Sequence, residues 1–139
     1  DYNNIYKFKK NISINYQNDG KSEYLINGIE NRIEQIVANL LDNSISFSDD
    51  GSEVIVDVSN GLEKKVTIKI LDEGQGFKEK DTSKIFNRFY SNRPENFGEH
   101  SGLGLNIVKN LVELHDGKIE ASNRLDKQGA LIEIQFPSL

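Results

Sequence analysis

The sequence contains no cysteine, methionine or tryptophan among its 139 residues, and it has only two histidines. Without cysteine, the chain can form no disulfide scaffold, no thiol redox centre and no cysteine-ligated zinc site. Apolar runs extend over only a few residues, so the sequence predicts neither a transmembrane helix nor a signal peptide. The length favours a single domain that buries about two-thirds of its unfolded surface.

Basic residues are in deficit, because 17 lysines and arginines stand against 22 aspartates and glutamates, for a net charge of −5. Sequence-independent binding to nucleic acid usually needs a basic surplus, so the composition argues against that function. The absence of an initiating methionine leads us to expect that the chain is a part of a longer protein, or a processed product. Its function is then expected to be one part of the parent's function.

Hydrophobic periodicity predicts strands and helices in a mixed order. The predicted strands lie at 12–16, 23–26, 54–58, 66–70, 118–122 and 131–136, and the predicted helices at 29–47 and 103–114. Between them, residues 78–101 show no sustained periodicity apart from a helical turn predicted over 83–88. A loop of this length is typical of a lid, a binding loop or a disordered segment. This order predicts a two-layer α/β domain, with one sheet covered on one face by helices.

Two asparagines lie one turn apart on the predicted long helix, at Asn39 and Asn43. Their amide oxygens suit a hard cation such as Mg²⁺, which prefers oxygen ligands. Asparagine has a low helix propensity, so the pair carries a small energetic cost. For this motif alone, hydrogen bonds to solvent or to nearby backbone are the favoured interpretation.

A second motif, Asp72-x-Gly74-x-Gly76, follows a predicted strand. The two glycines permit positive φ angles and the close approach of a ligand, and the carboxylate could accept a hydrogen bond from an exocyclic amine. The motif lacks the further acidic positions of an EF-hand calcium loop. Considered alone, it is also compatible with an ordinary glycine-rich turn.

A third motif, Ser101-Gly102-Leu103-Gly104-Leu105, opens into a predicted helix. Backbone N–H groups and the positive end of a helix dipole could bind phosphate there. A flexible approach to a helix start explains the same residues equally well. The motif lacks the Gly-Lys-Ser/Thr of a Walker loop, and the chain lacks the arrangement of a Rossmann site.

The fourth motif is the aromatic segment 84–90 inside the predicted lid. Its aromatic side chains could hold the lid against the body of the domain, with Arg88 directed towards an anion. Packing of Phe86 and Phe89 beside a solvated arginine is the simpler interpretation.

In this order, the four motifs resemble the asparagine, first glycine, phenylalanine and second glycine boxes of the catalytic ATP-binding domain of sensor histidine kinases. The matches lie at 34–48, 72–77, 84–90 and 101–105, and residues 112–119 are similar to the family's helix-to-strand exit. The resemblance extends over about 29–137. It implies a Bergerat-type fold, in which a mixed sheet is covered on one face by about three helices. It also implies one domain over 1–139, with an ATP lid over about 78–101.

The resemblance implies how the nucleotide base and the metal would be bound. Asp72 would accept a hydrogen bond from the adenine amine, in a pocket formed by Gly74, Gly76 and Phe77. Asn43 would be the ligand of Mg²⁺, which bridges the phosphates.

The resemblance also implies a phosphate side and three catalytic residues. Asn39 would line the phosphates and act in catalysis together with Asn43, and Arg88 would approach the γ-phosphate. Tyr90 would lie near the nucleotide. The backbone that contacts the phosphates would come from Gly102, Leu103, Gly104 and Leu105.

Three positions depart from the family pattern. Many relatives have a lysine or arginine three residues after the metal asparagine, where this chain has Ser46, which can donate one hydrogen bond but supplies no charge. His100 replaces a frequent glycine, although Gly98 is nearby, and Ala130 replaces a frequent threonine. The cations that could compensate for Ser46 are Arg88, Arg93, Lys109 and the metal.

The family resemblance favours phosphoryl transfer over hydrolysis. Relatives that hydrolyse ATP, such as DNA gyrase, large heat-shock chaperones and mismatch-repair ATPases, have a glutamate one turn before the metal asparagine. Asn39 stands at that position and cannot act as a base, and Glu34 lies five residues away. Transfer needs mainly positioning and charge neutralisation.

Neither histidine fits a phosphoacceptor segment, because His100 lies in the lid and His115 at a helix end. The acceptor is expected on a dimeric two-helix domain of the parent. The isolated domain is therefore expected to be a monomer that binds Mg-ATP without phosphorylating itself.

The expected partners are that acceptor domain and, indirectly, a response regulator, with no nucleic acid and no direct membrane contact. The expected location is cytoplasmic, within a bacterial inner-membrane sensor. The alternatives are a non-catalytic nucleotide-binding module and an ATPase of the same superfamily.

Overall fold

The computed structural model describes residues 11–20, 28, 30–61, 65–78, 82–87 and 104–138. The elements are β1 (Ser13–Asn18), α1 (Glu30–Phe47), β2 (Glu53–Gly61), β3 (Lys65–Leu71), a 3₁₀ turn (Ser83–Phe86), α2 (Gly104–Leu114), β4 (Lys118–Asn123) and β5 (Ala130–Pro137).

Every predicted helix and strand within the described residues is present, with its ends shifted by three residues or fewer. The strand predicted at 23–26 lies outside the described residues. The resemblance implies about three helices, whereas the described part of the chain contains two α-helices and the 3₁₀ turn. No described helix has the length and apolar character needed to cross a lipid bilayer.

The five strands form one mixed sheet in the order β1-β2-β3-β5-β4. β1 runs parallel to β2, and the other neighbouring pairs are antiparallel. The central pair, β3 and β5, aligns Ile68 with Ile134 and Ile70 with Ile132. Because side chains alternate along a strand, this register places their apolar residues on one face.

Both helices pack against that apolar face. Ile36 and Leu40 of α1 and Val108 and Val112 of α2 are almost fully buried in the same core as Ile134. Full burial of one such side chain contributes about 1.5–3 kcal/mol of hydrophobic free energy. The opposite face carries a cross-strand row of charges, Asp57, Lys69 and Glu133. Within the described part of the chain, the helices cover one face of the sheet, which confirms the two-layer α/β prediction.

The carboxylate of the first glycine motif, Asp72, lies beside the start of the last strand. Asp72 directly follows β3, and Ala130 begins β5. The backbone N–H of Asp72 donates to the carbonyl of Ala130 at 3.0 Å, so the ladder continues one step beyond β3. The end of α1 reaches the same place, because the carbonyl oxygen of Phe47 lies against Gly74.

Candidate functional site

Asp72 is a buried carboxylate, only 3% exposed. Its Oδ1 accepts hydrogen bonds from the backbone N–H groups of Gly74, at 2.9 Å, and Ala130, at 3.0 Å. Among the described residues, no hydrogen bond reaches its Oδ2. Since a buried polar atom is normally hydrogen-bonded, this oxygen is suited to a donor supplied by a ligand.

Burial raises the pKa of Asp72 above its ordinary value of 3.8, while the hydrogen bonds from Ala130 and Gly74 and the charge of Arg124 act in the opposite direction. Hydrogen bonds to an ionised acceptor are stronger than those between neutral groups. Asp72 can therefore recognise an amino group at a place from which water is largely excluded.

The turn 72–77 needs glycine at two positions. A Cβ at Gly74 would lie 2.6 Å from the carbonyl oxygen of Phe47. Gly76 has a φ of +77°, and its Cβ would lie 2.6 Å from Oδ1 of Asn123. The turn is therefore in direct contact with the end of α1 and with the end of β4. Phe77, which closes the turn, is partly buried against the core.

The asparagine pair lies on α1, the helix whose last residue, Phe47, contacts this turn. Asn43 is 7% exposed, and Asn39, one turn earlier, is half-buried. Ser46 is fully buried, and its hydroxyl donates to the carbonyl oxygen of Asn43 at 2.7 Å. Ser48 makes a similar bond to the carbonyl of Ser44, also at 2.7 Å. The Ser46 hydroxyl thus has a partner within the helix, in the same turn as Asn43.

The second glycine motif is described from Gly104 onwards, and Gly102 and Leu103 lie outside the described residues. Gly104 is the first residue of α2. Its φ is not in the left-handed region. Among the described residues, no atom apart from its chain neighbours and its own helix backbone lies within 4 Å of the place that a Cβ would occupy. Leu105 is half-buried and packs against the core. Within the described residues, the first position of α2 is therefore not closed off by packing.

The lid segment is described only in part. Arg88 and Tyr90 lie outside the described residues, as do Phe89, Arg93 and His100. Ile85 and Phe86 are buried in the core, which agrees with the packing interpretation of Phe86. Two hydrogen bonds hold the segment on either side.

The first of these joins the Thr82 hydroxyl to the carbonyl of Ala121, at 2.6 Å, and the second joins the Asn106 amide to the carbonyl of Phe86, at 3.2 Å. The start of the described lid segment is therefore fixed to β4, and its end to α2.

The sequence does not identify three residues that contact this turn: Asn123, Arg124 and Gly129. Asn123 ends β4, and Arg124 and Gly129 lie in the loop between β4 and β5. Their partners Asp72 and Phe77 are 46 or more residues away in sequence. The only available sequence signals are the polar pair that ends the β4 alternation and the glycine before the last strand. Neither signal identifies its spatial partner.

His115 occupies a structural position. Its ring is 8% exposed, its Nδ1 lies 2.7 Å from the carbonyl oxygen of Leu111, and its edge meets the ring of Phe136 at a centroid distance of 6.4 Å. A Cβ at Gly28 would lie 2.9 Å from its Cδ2. A ring enclosed in this way is poorly placed to accept a phosphoryl group.

Comparison with known proteins agrees with this geometry. Residues 28–139 match the family model described as histidine kinase-, DNA gyrase B-, and HSP90-like ATPase. The sensor protein ChvG of Agrobacterium fabrum is 37% identical over 135 residues, which cover 92% of this chain and 22% of that protein. The chain thus spans less than a quarter of the length of this relative.

Two solved structures share the fold. The catalytic domain of histidine kinase ThkA is 25% identical, with a TM-score of 0.79 over 98% of this chain and 87% of that chain. A structure of ThkA in complex with the response regulator protein TrrA gives a TM-score of 0.77 at 22% identity, over 99% of this chain and 38% of that chain. The chain belongs to the histidine kinase-, DNA gyrase B- and HSP90-like ATPase family, and it corresponds to the catalytic ATPase domain of sensor histidine kinases.

Proposed function

We propose that this domain binds Mg-ATP and presents the γ-phosphate to a histidine on a separate dimerisation domain of its parent protein. In that reaction, an imidazole nitrogen bonds to the γ-phosphorus, the bond to the bridging oxygen breaks, and ADP leaves. The observation that carries the proposal is Asp72, a buried carboxylate with one oxygen bonded twice and the other open. The 6-amino group of adenine is a donor that would complete it.

The start of α2 supports the placement of the phosphates. The unpaired N–H groups of a helix N-terminus attract anions. The free space at Gly104 gives an oxygen-rich ligand room to approach the backbone. In this proposal Gly102, Leu103 and Leu105 contribute backbone N–H groups, and Arg88 and Tyr90 complete the site from the lid.

Asn43 is the proposed protein ligand of Mg²⁺, with Asn39 on the phosphate side. No group of three or more histidine, aspartate or glutamate side chains with metal-binding geometry occurs within the described ranges. Mg²⁺ commonly keeps several waters and binds substrate phosphates with few protein ligands, so a single amide oxygen fits it. When bound, the ion would neutralise charge on the phosphates.

The site favours transfer over hydrolysis. Glu34, the acidic residue nearest in sequence on the N-terminal side of Asn39, is exposed on α1. Asn39 itself has an amide, which cannot deprotonate water. In this proposal the acceptor histidine belongs to another domain. His115 is enclosed by Leu111 and Phe136, and His100 belongs to the predicted lid, outside the described residues.

One observation favours a second candidate, a nucleotide-binding module without kinase activity. Ser46 supplies no positive charge where many relatives have a cation, and its hydroxyl bonds to the Asn43 carbonyl. Such a domain would bind ATP but would stabilise the transferring phosphoryl group less well.

Two measurements test the proposal. Calorimetric titration with ATP, with and without Mg²⁺, should show metal-dependent binding, and absence of binding at millimolar ATP would overturn it. The domain is then mixed with the parent's acceptor domain and γ-labelled ATP. Label on histidine supports the kinase, phosphate release without transfer supports an ATPase, and binding with neither supports the non-catalytic module.

A further inference from the structure

We propose that Asn123 and Arg124 act together as positioning residues, which hold the two ends of the turn 72–77 and thereby set recognition of the 6-amino group of a purine. This inference rests on the proposed function, because it concerns the same base site. Neither side chain is proposed to touch the nucleotide. Each acts through the backbone of the turn that carries Asp72.

Arg124 holds the first end of the turn. Its Nη1 donates to the backbone carbonyl of Asp72 at 3.0 Å. Its Nε and Nη2 donate to the two carboxylate oxygens of Asp126, at 3.0 and 2.8 Å. The Arg124 side chain is only 3% exposed, whereas that of Asp126 is 63% exposed. A forked pair of this kind fixes the direction of the guanidinium, so its third nitrogen reaches Asp72 from a defined position.

Asn123 holds the other end. Its Oδ1 accepts from the backbone N–H of Phe77 at 2.6 Å, and its Nδ2 donates to the carbonyl of the same residue at 2.9 Å. The side-chain amide therefore pairs with Phe77 as a neighbouring strand would. The same Oδ1 occupies the space that a Cβ on Gly76 would need.

The loop that follows these two residues returns to the carboxylate. The backbone N–H of Arg124 donates to the carbonyl of Gly129 at 2.9 Å, which closes the loop between β4 and β5. A Cβ on Gly129 would lie 2.0 Å from the carbonyl oxygen of Asp72, so the two backbones are in close contact. The next residue, Ala130, donates to Asp72 Oδ1. The loop therefore contacts Asp72 through its backbone carbonyl and its carboxylate.

An ion pair ties the outer side of the same loop to the turn. Lys127 Nζ lies 3.0 Å from Glu73 Oε2, and Glu73 Oε1 accepts from the backbone N–H of Glu53 at 2.6 Å. These groups are more exposed than Arg124, so they are expected to contribute less to positioning.

The position of the open Oδ2 follows from these contacts. Oδ1 is fixed by two N–H groups, and the backbone of Asp72 is fixed by Arg124, so Oδ2 has one defined direction. Hydrogen bonds weaken steeply when their angle departs from linearity. A small displacement of the turn would therefore weaken an amine contact more than it would weaken the binding of phosphates at α2.

The experiment measures the ratio of two affinities. Calorimetry gives the affinities for Mg-ATP and for Mg-purine riboside triphosphate, which lacks the 6-amino group but has the same sugar and phosphates. The ratio isolates the amine, and the wild-type chain is expected to prefer ATP by about tenfold or more. The test variants are Arg124→Met, which keeps the length of the stem, and Asn123→Ala.

Both variants are expected to reduce the ATP preference by about threefold or more, because Oδ2 is displaced from the direction of the amine. Arg124→Lys, which retains a charge and a donor, should keep more of the preference than Arg124→Met. The matched control is Leu125→Ser, since Leu125 lies in the same loop with its side chain fully exposed; it should leave the ratio unchanged.

A nucleotide-free measurement accompanies the titrations. Amide hydrogen exchange at Gly74 and Ala130 reports the two bonds to Oδ1, and both amides should exchange faster in Arg124→Met than in wild type. If thermal unfolding shows that Arg124→Met does not fold, the test uses Asn123→Ala, which is expected to show the same loss of ATP preference.

The outcomes separate this inference from the proposed function. If the wild-type chain does not bind ATP, the proposed function fails and this inference fails with it. If the wild-type chain prefers ATP while the variants lose affinity for both nucleotides equally, the residues are merely structural. That result overturns the inference and leaves the proposed function standing.

Discussion

Asp72→Asn changes the proposed base site while leaving most of its supporting contacts available. The asparagine carbonyl oxygen can still accept from the N–H groups of Gly74 and Ala130, which now bond to Oδ1. The amide NH₂ then faces the side where Oδ2 lies. A donor would therefore meet the adenine amine, which is also a donor.

The expected effect on binding is large. Loss of a hydrogen bond to a charged acceptor is worth about 1.5–3 kcal/mol, so the affinity for ATP should fall by about 10- to 150-fold. The effect on folding should be small, within about 1 kcal/mol, because the substitution also removes a buried charge. Calorimetry and thermal unfolding of the same samples measure the two quantities.

The matched control for this change is Asp57→Asn, which alters an aspartate on the open face of the sheet, opposite Lys69. It should leave ATP binding unchanged. A folded Asp72→Asn variant that binds ATP as tightly as wild type would refute the assignment of Asp72 to the base.

The same carboxyl predicts two pH dependences of opposite sign. Burial raises the pKa of Asp72 in the folded state, so its contribution to stability is fully present below the unfolded pKa and is lost as pH rises through the folded pKa. Preference for ATP over purine riboside triphosphate needs the ionised form, so it should decline as pH falls through the same folded pKa. In Asp72→Asn, both dependences should disappear; an undiminished pH effect would assign it to another group.

Three further substitutions test separate parts of the site. Gly104→Ala should leave stability unchanged or raise it by up to about 1 kcal/mol, since alanine is the better helix former, yet it should weaken ATP binding; unchanged affinity would place the phosphates elsewhere. Gly129→Ala should destabilise the fold by about 3 kcal/mol or more, because its Cβ meets the Asp72 carbonyl at 2.0 Å and its φ is +150°. The control is Gly20→Ala, whose φ is +81° and whose Cβ would meet no described atom within 4 Å, so it measures the cost of a positive φ without a clash. Asn43→Ala should remove the Mg²⁺-dependent part of ATP binding, and a metal dependence equal to wild type would refute its role as ligand.

The sequence predicts the individual helices and strands well, because the spacing of apolar residues within each segment is enough to identify its type. Val54, Val56 and Val58 alternate along β2, and the spacing of Ile36 and Leu40 is helical, so each segment already shows which side faces the core. The turn at Asp72 is also predicted by its glycines, and Gly76 meets a local requirement, since its φ is +77°. The contacts with Phe47 and Asn123 that also require glycine there are not visible in the sequence.

Contacts between distant segments are less predictable. Nothing in the period of β1 indicates that it pairs in parallel with β2, and nothing in β5 indicates that it lies between β3 and β4. For the same reason, Asn123 and Arg124 appear in the sequence only as polar residues at a strand end. The direction of the Ser46 hydroxyl is also invisible in sequence, because a buried serine can bond either to its own helix or to a neighbour.

The pairing of β3 with β5 divides the domain into two pieces of chain. Seven residue pairs join these strands, although the chain between them passes through the lid, α2 and β4. Asp72 belongs to the first piece and the N–H of Ala130 to the second, so the proposed base site is completed only where the pieces meet. A single cut of the chain in the lid would leave the pairing of β3 with β5 intact. The two fragments should then remain associated. A nucleotide that contacts both fragments would act as a reversible cross-link between them.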